Sequence, residues 1–154
     1  PKGKYYSQIV LSQGDFHLHN VIKNGNTYRL IDFESLELTD EASHIAHIFM
    51  DFDKMFKEKN RELFLSEYQK LIGFKKKDLV DKINNWLPLK YFANFLWAVR
   101  HVLKIKKGEM HSHYINKSDI LSHVNYAKKT FYICLREGII NNKYKDFNIV
   151  GVLQ

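Results

Sequence analysis

The spacing of apolar residues changes once along this chain of 154 residues, and the change occurs near Asp40. Before it, short runs of β-type residues alternate with polar stretches; after it, apolar residues recur every three or four positions. A period of two is typical of strands and a period of 3.6 of helices. The chain is therefore predicted to be α+β and mainly helical, with a β segment at residues 1–38 and a helical segment at 39–154.

The β segment is predicted to contain one strand, one loop and one hairpin. Residues 8–11 form a short apolar run, and the polar stretch 12–20 follows it. Two further β-type runs, 21–23 and 27–31, flank Asn24-Gly25-Asn26. Because Asn and Gly both tolerate positive φ, this tripeptide predicts the tight turn of a β-hairpin.

The helical segment is predicted to form a bundle of about five helices. Thr39 and Asp40 are candidate N-caps for the first of them, and Pro88 suits the first turn of the fourth. Several leucines, among them Leu71, Leu96, Leu103 and Leu121, are expected to face inward. The predicted helices cover residues 40–56, 61–72, 77–87, 88–107 and 118–137.

Composition excludes several classes of protein. The chain is 45% hydrophobic and 27% charged, with two prolines and seven glycines, which is typical of one compact domain, taken as 1–154, rather than a disordered chain. A single cysteine, Cys134, cannot form an internal disulfide, which favours a cytoplasmic setting. Since there is no apolar run near 20 residues, we expect no membrane partner.

The formal net charge of +7 is unevenly distributed along the sequence. Residues 1–40 carry four basic and five acidic side chains, whereas residues 41–154 carry 20 basic and 12 acidic ones. A basic body around a slightly acidic segment suits an anionic ligand such as a nucleotide phosphate. Lysines that only solvate helix surfaces explain the same distribution.

Residues with the chemistry of phosphoryl transfer are concentrated between positions 13 and 34. Asp15 and Asp32 lie where predicted strands meet loops, and Asn20 lies between them at the end of the first loop. The hairpin would bring Asn20 and Asp32 together, and their side-chain oxygens would suit Mg²⁺ when phosphates supply further ligands. Asp15 would then be free to accept a proton from an attacking hydroxyl.

Two motifs at these positions resemble the signature of the aminoglycoside phosphotransferase and choline kinase superfamily. Residues 13–20 are QGDFHLHN and residues 30–34 are LIDFE. That superfamily typically carries H-G-D-x-H-x-x-N, then a hairpin, then I-D-[FW]-E. The resemblance implies that Asp15 is the catalytic base and that Asn20 and Asp32 are Mg²⁺ ligands. It also implies a structural role for His17 in the loop, and ATP as the phosphate donor.

Two positions of this sequence depart from the family pattern. Gln13 replaces the usual histidine at a position that mainly shapes the loop, and His44 stands where an aspartate usually supports the loop from the next helix.

Glu34 and Trp97 are candidates for substrate contact or support. Each has a structural alternative, a hydrogen bond for Glu34 and core packing for Trp97.

The matching motifs belong to the carboxy-terminal lobe of such kinases. A nucleotide site in that family also needs an amino-terminal lobe with a phosphate-covering loop and a strand lysine, for which twelve residues are too few. We therefore expect a small-molecule kinase C-lobe whose N-lobe is supplied in cis. The acceptor could be a choline-like amino alcohol, a sugar or a vitamin alcohol.

Two alternatives from other classes remain at this point. Residues 15–19 also match the D-x-H-x-H opening of metal-dependent hydrolases, although those enzymes need alternating strands and helices. A C-lobe without its partner lobe could instead be a non-catalytic pseudokinase or interaction module. We do not expect a nucleic-acid partner, because the basic residues are dispersed over several predicted helices.

Overall fold

A computed structural model describes residues 8–51, 58–72, 76–109 and 117–153 of the chain. Within these ranges the fold is α+β and mainly helical, as predicted. None of the described helices combines the length and the apolar character needed to cross a bilayer. The strands are β1 Ile9–Ser12, β2 Val21–Asn24, β3 Thr27–Leu30 and β4 Glu37–Asp40, and the helices are α1 Glu41–Asp51, α2 Glu58–Ile72, α3 Lys76–Lys106, α4 Lys117–Arg136 and α5 Ile149–Leu153.

The first strand pairs with a strand that the sequence analysis missed. Strands β1 and β4 are antiparallel, with Ile9 opposite Asp40 and Ser12 opposite Glu37. Asp40 ends β4 and also caps α1, because its Oδ1 accepts hydrogen bonds from the backbone N–H groups of Ala42 and Ser43 at 2.9 and 3.2 Å. Of the two candidate N-caps, Asp40 is confirmed, whereas Thr39 lies within the short strand β4 that the sequence analysis did not predict.

The hairpin is confirmed, with a shorter turn than expected. Strands β2 and β3 are antiparallel, and the Asn24–Thr27 pair closes the ladder around Gly25 and Asn26. Of these two turn residues only Gly25 has a positive φ, +57°. Thr27 Oγ1 donates to the carbonyl of Asn24 at 2.8 Å, which fixes the end of the ladder.

The third and fourth predicted helices form one continuous helix, so the predicted break at Pro88 is wrong. Helix α3 runs from Lys76 to Lys106 with Pro88 inside it. A proline removes one i→i−4 hydrogen bond from a helix interior. Here Leu87, Leu89 and Lys90 next to the proline are good helix formers and no glycine interrupts the segment, so the helix continues through the lost bond.

The chain divides into two compact units, Pro1–Leu87 and Pro88–Gln154, each with its own core. The core of the first unit lies between α1, α2 and the start of α3. The core of the second joins α3, α4 and α5. Buried residues of the first core are Ala42, Ile45, Ala46, Ile48, Phe49, Leu65, Leu79 and Ile83, and those of the second are Ala98, Val102, Val124, Ala127, Phe131, Leu135, Ile149 and Leu153.

Four leucines that were predicted to face inward are exposed instead. Leu71 is 83% exposed, Leu121 52%, Leu96 49% and Leu103 41%. A helical period identifies an apolar face, but a leucine at the margin of that face can still lie in solvent. The predicted continuation of the first helix beyond Asp51 lies outside the described residues.

Matched leucines in the first unit test where its core lies. Leu79 is 1% exposed and Leu71 83% exposed. We expect Leu79→Ala to lower the free energy of unfolding by about 2–5 kcal/mol, since it removes buried contacts and leaves a cavity. Leu71→Ala should change it by less than about 0.5 kcal/mol. Urea denaturation followed by circular dichroism measures both, and similar losses for the two variants would contradict this core.

Candidate active site

Register places the two predicted metal ligands at the same end of the hairpin. Val21 is opposite Leu30, so the residue before β2 lies beside the residue after β3. The pairing extends one step further, because the N–H of Ile31 donates to the carbonyl of Asn20 at 3.0 Å. Asn20 therefore lies opposite Ile31, with Asp32 the next residue at the same end of the hairpin, and a metal site shared by the two side chains stays a prediction.

Asn20 is the buried anchor of the loop. It is 5% exposed and ends a single 3-10 turn, Leu18–Asn20. Its Nδ2 donates to the backbone carbonyl of Asp15 at 2.9 Å. Because the amide nitrogen is held in this way, the remaining polar atom of the side chain is Oδ1, the atom type that a hard cation binds.

Gln13 connects the loop to the segment after the hairpin. Its side chain is 6% exposed. Nε2 donates to the carbonyl of Asp32 at 2.5 Å and lies 3.3 Å from that of Ile31, while Oε1 accepts from the N–H of Asp15 at 3.0 Å. One carboxamide thus holds the backbones of Asp15 and Asp32 together. The sequence analysis assigned Gln13 a loop-shaping role but did not predict these partners.

Asp32 has an uncommon backbone conformation that this arrangement supports. Its φ is +61°, and it is the one non-glycine residue with positive φ in the described part of the chain. A non-glycine residue in this conformation costs a free energy of order 1–3 kcal/mol. The conformation persists where the surrounding contacts hold the backbone in it. The bond from Gln13 to the carbonyl of Asp32 is such a constraint. The carboxylate of this residue is exposed.

Gly14 permits the close approach of the loop to the segment after Asp32. Its φ is +83°, and a Cβ there would lie 1.8 Å from the carbonyl oxygen of Ser35. No side chain fits at that distance without moving the backbone of Ser35. The glycine in the motif is therefore required both by conformation and by space.

Asp15 is exposed, and His17 lies beside its carboxylate. Asp15 Oδ2 is 3.3 Å from His17 Nε2. The other ring nitrogen of His17, Nδ1, is buried and has no hydrogen-bond partner among the described residues. Nε2 also lies 3.4 Å from the amide nitrogen of Asn20, so the His17 ring contacts both Asp15 and Asn20 through this one atom.

His44 supports the loop through Ser12. Ser12 is 2% exposed, and its Oγ accepts from the N–H of Gly14 at 3.0 Å. The same oxygen is 2.7 Å from His44 Nδ1 on α1. A histidine at this position therefore does contact the loop from the next helix. The sequence analysis missed Ser12, since a serine at a strand end carries no distinctive signal.

The two weaker candidates lie in exposed positions in separate units. Glu34 is exposed shortly after Asp32. Trp97 belongs to the second unit, where it is 51% exposed, so its alternative interpretation as a core residue is wrong. Its indole stacks on the ring of His101 at 5.0 Å and meets His123 edge-on at 5.5 Å. A substrate role for Glu34 or Trp97 stays a prediction.

The oxygen donors of the loop fit Mg²⁺ in chemistry. The described residues contain no group of three or more His, Cys, Asp or Glu side chains that could hold a metal ion by themselves. Asn20 and Asp32 offer one amide oxygen and one carboxylate. That number is adequate for Mg²⁺, which keeps several waters and takes further oxygens from substrate phosphates.

Cys134 lies in the interior of the second unit and is not a candidate nucleophile. It is fully buried. Burial raises the pKa of Cys134 to about 11, which leaves the thiol uncharged at neutral pH.

Comparison of the chain with protein-family models, with curated proteins and with solved structures finds no match.

The metal-dependent hydrolase alternative gains no support from the architecture. The described strands form two antiparallel pairs, β1 with β4 and β2 with β3. A barrel hydrolase instead places its metal ligands on successive parallel strands that alternate with helices.

A charge substitution at Gln13 tests the connection between the loop and Asp32. Gln13→Glu places a carboxylate against the carbonyls of Ile31 and Asp32 and removes the donor that they share. We expect a loss of about 1–3 kcal/mol in the free energy of unfolding at pH 7.5. The loss should shrink as the pH falls, because the carbonyls raise the pKa of the introduced carboxyl in the folded state and its protonated form can donate.

The matched control is Gln8→Glu, because Gln8 is exposed and undergoes the same chemical change. Urea denaturation at pH 7.5 and at pH 5 measures both variants. An equal effect at Gln8 and Gln13, or a Gln13→Glu deficit that does not change with pH, would contradict the hydrogen-bond arrangement described above.

His101, which stacks on Trp97, predicts a pH dependence of the stability of the fold. Burial, followed by the charges of His123 and Lys104, lowers the pKa of His101 in the folded protein. The unfolded chain therefore binds more protons, and stability should rise with pH up to the ordinary histidine pKa of about 6.5. His101→Gln should flatten this part of the profile. Thermal unfolding between pH 5 and 8 measures the stability profile of the wild-type chain and of both variants, with His19→Gln as the exposed-histidine control. Identical profiles for the wild-type chain, His101→Gln and His19→Gln would contradict this prediction.

Proposed function

We propose that this chain is the carboxy-terminal lobe of a small-molecule phosphotransferase that moves the γ-phosphate of ATP to a substrate hydroxyl. The observation that carries the proposal is the hydrogen-bonded frame around Gln13. It holds Asp15 and Asp32 by their backbones, while Asn20 is anchored to the carbonyl of Asp15. The resemblance of residues 13–34 to the aminoglycoside phosphotransferase and choline kinase superfamily supports the same assignment.

Asp15 is proposed as the group that orients and deprotonates the acceptor hydroxyl. Its carboxylate is exposed, so a substrate can reach it. The contact from His17 Nε2 to Oδ2 holds one carboxylate oxygen and leaves Oδ1 to accept the proton. A positioned base of this kind typically contributes 10²–10⁴-fold to a rate.

Asn20 and Asp32 are proposed to hold Mg²⁺ through Oδ1 and the carboxylate. When bound, the ion would neutralise charge on the phosphates of ATP. The contribution of the chain is to present the two oxygen donors at one end of the hairpin. Asn20 is oriented by its bond to Asp15, and the backbone of Asp32 is held by Gln13.

The surface of the β segment supports a partner lobe. Between Ile9 and Leu38, large apolar side chains are exposed to an extent that is unusual for a folded surface. A β-rich N-lobe packed on this segment would cover them and enclose ATP, and we propose that it is supplied in cis. The exposed side chains are Ile9, Leu11, Leu18, Ile22, Tyr28, Leu30, Ile31, Phe33, Leu36 and Leu38.

The proposed setting is the cytoplasm, where ATP and Mg²⁺ are available. The buried, uncharged thiol of Cys134 is consistent with a reducing compartment. The acceptor is proposed to be a small molecule with a free hydroxyl group.

Two substitutions separate the proposed roles of the aspartates. Asp15→Asn should reduce phosphate transfer by at least about 100-fold while it leaves Mg²⁺-dependent ATP binding nearly unchanged, because it removes the base and no metal ligand. Asp32→Asn should remove the Mg²⁺ dependence of ATP binding. Nuclear magnetic resonance of the ¹⁵N-labelled chain, titrated with ATP with and without Mg²⁺, follows the Asn20 side-chain amide and the backbone around Asp32.

Transfer of ³²P from ATP to a pool of amino alcohols and sugars measures the reaction, and Glu37→Gln, an exposed change on β4, is the control. Equal effects of the two aspartate substitutions on ATP binding would argue against the assignment. Mg²⁺-dependent binding without transfer, in the chain joined to its N-lobe, would favour the pseudokinase alternative.

A further inference from the structure

Helix α3 carries an exposed apolar stripe within the second unit. Leu89, Leu96 and Leu103 are spaced by seven residues and are 53%, 49% and 41% exposed. Phe92 and Val99 lie between them at the positions that complete an a/d heptad pattern, and both are half-buried. Single exposed leucines are ordinary, but a row at heptad spacing is the seam with which one helix packs against another.

The stripe lies on the outer side of α3. The opposite side, with Ala98 and Val102, is fully buried in the core of the second unit. Phe92 and Val99 form the border between this core and the leucines, since both are half-buried and Val99 packs against the core. A docked helix would therefore extend an existing apolar layer rather than sit on an isolated patch.

The charged side chains of this part of α3 all have one sign. Between Pro88 and Lys106 the helix has four basic side chains and no acidic one. With the leucines at heptad position a, Arg100 takes position e beside the stripe, and Lys107 follows in the turn directly after the helix, 3.9 Å from Glu109 Oε1 on the surface; both basic residues are exposed. Residues at e form interhelical ion pairs in coiled coils and select the partner.

The second unit as a whole has the same sign of charge. Residues 88–154 contain eleven basic and four acidic side chains, a formal net charge of +7, whereas residues 1–87 contain thirteen of each. Two copies of this unit would repel each other across the stripe, whereas an acidic helix would be attracted to it.

We propose that the leucine stripe of α3 docks an acidic amphipathic helix of a partner protein. Leucines of the partner would pack between Leu89, Leu96 and Leu103. Its carboxylates would face Arg100 and Lys107. This surface is independent of the loop at residues 13–20, so the proposal does not depend on the phosphotransferase assignment.

A synthetic peptide of about four heptads provides the probe, with leucine at a and d and glutamate at e and g. Fluorescence anisotropy of the labelled peptide, titrated with the full chain, measures binding. We expect saturable binding that the double substitution Leu96→Ser and Leu103→Ser weakens by at least about tenfold. The matched control is Leu63→Ser with Leu71→Ser, because these α2 leucines are also exposed, 61% and 83%, and lie in the first unit.

A charge exchange tests the choice of an acidic partner. A second peptide carries lysine in place of every glutamate. The double substitution Arg100→Glu and Lys107→Glu should transfer the preference of the chain from the glutamate peptide to the lysine peptide, and added salt should weaken both preferences. Circular dichroism and thermal unfolding confirm that the variants fold, which is expected because all four substituted side chains are exposed or nearly half-exposed.

Three results would overturn the proposal. The first is absence of binding to the glutamate peptide by the wild-type chain. The second is equal binding of the two peptides by the wild-type chain. The third is a wild-type dimer in light scattering that Leu96→Ser converts to a monomer, since a second copy of the chain would then occupy the stripe.

Discussion

The geometry of the candidate site depends on one buried carboxamide. Gln13 donates to the carbonyl of Asp32 and accepts from the N–H of Asp15, so it joins a loop and a hairpin that neither of the two described strand pairs connects. Its bond to the Asp32 carbonyl helps to hold the positive φ of that residue, which costs free energy by itself. Gly14 and Ser12 act alongside it, the first by allowing close approach to Ser35 and the second by joining the loop to α1.

The side chains of the candidate site differ in their exposure to solvent. The carboxylates of Asp15 and Asp32 are exposed, whereas the side chains that position them, Gln13 and Asn20, are buried. Gln13 therefore holds the loop without being proposed to meet a ligand, whereas Asn20 holds the loop through Nδ2 and is proposed to bind Mg²⁺ through Oδ1. Such an arrangement keeps reactive groups accessible while the hydrogen bonds that orient them are shielded from water.

Much of the fold follows from short-range patterns in the sequence. The Asn-Gly turn, the Asp40 cap and the 3.6-residue period each act within a few residues, and each was correctly predicted. Strand β4, the passage of α3 through Pro88 and the exposure of Leu96 depend on what packs around them, which periodicity does not record. For the site, the hairpin could be predicted, but its exact register and the partners of Gln13 could not; those partners lie 18 and 19 residues away in the sequence.

The side-chain amide at position 13 also affects how the hydrogen bonds of the site depend on pH. The superfamily that the loop resembles usually has an imidazole there, a group that gains a proton within the physiological range and then changes its hydrogen-bonding pattern. A glutamine carries the same donor and acceptor atoms at every pH at which the protein is folded. The link that Gln13 makes between Asp15 and Asp32 therefore has no proton of its own to lose, and its hydrogen bonds keep the same direction over that whole range.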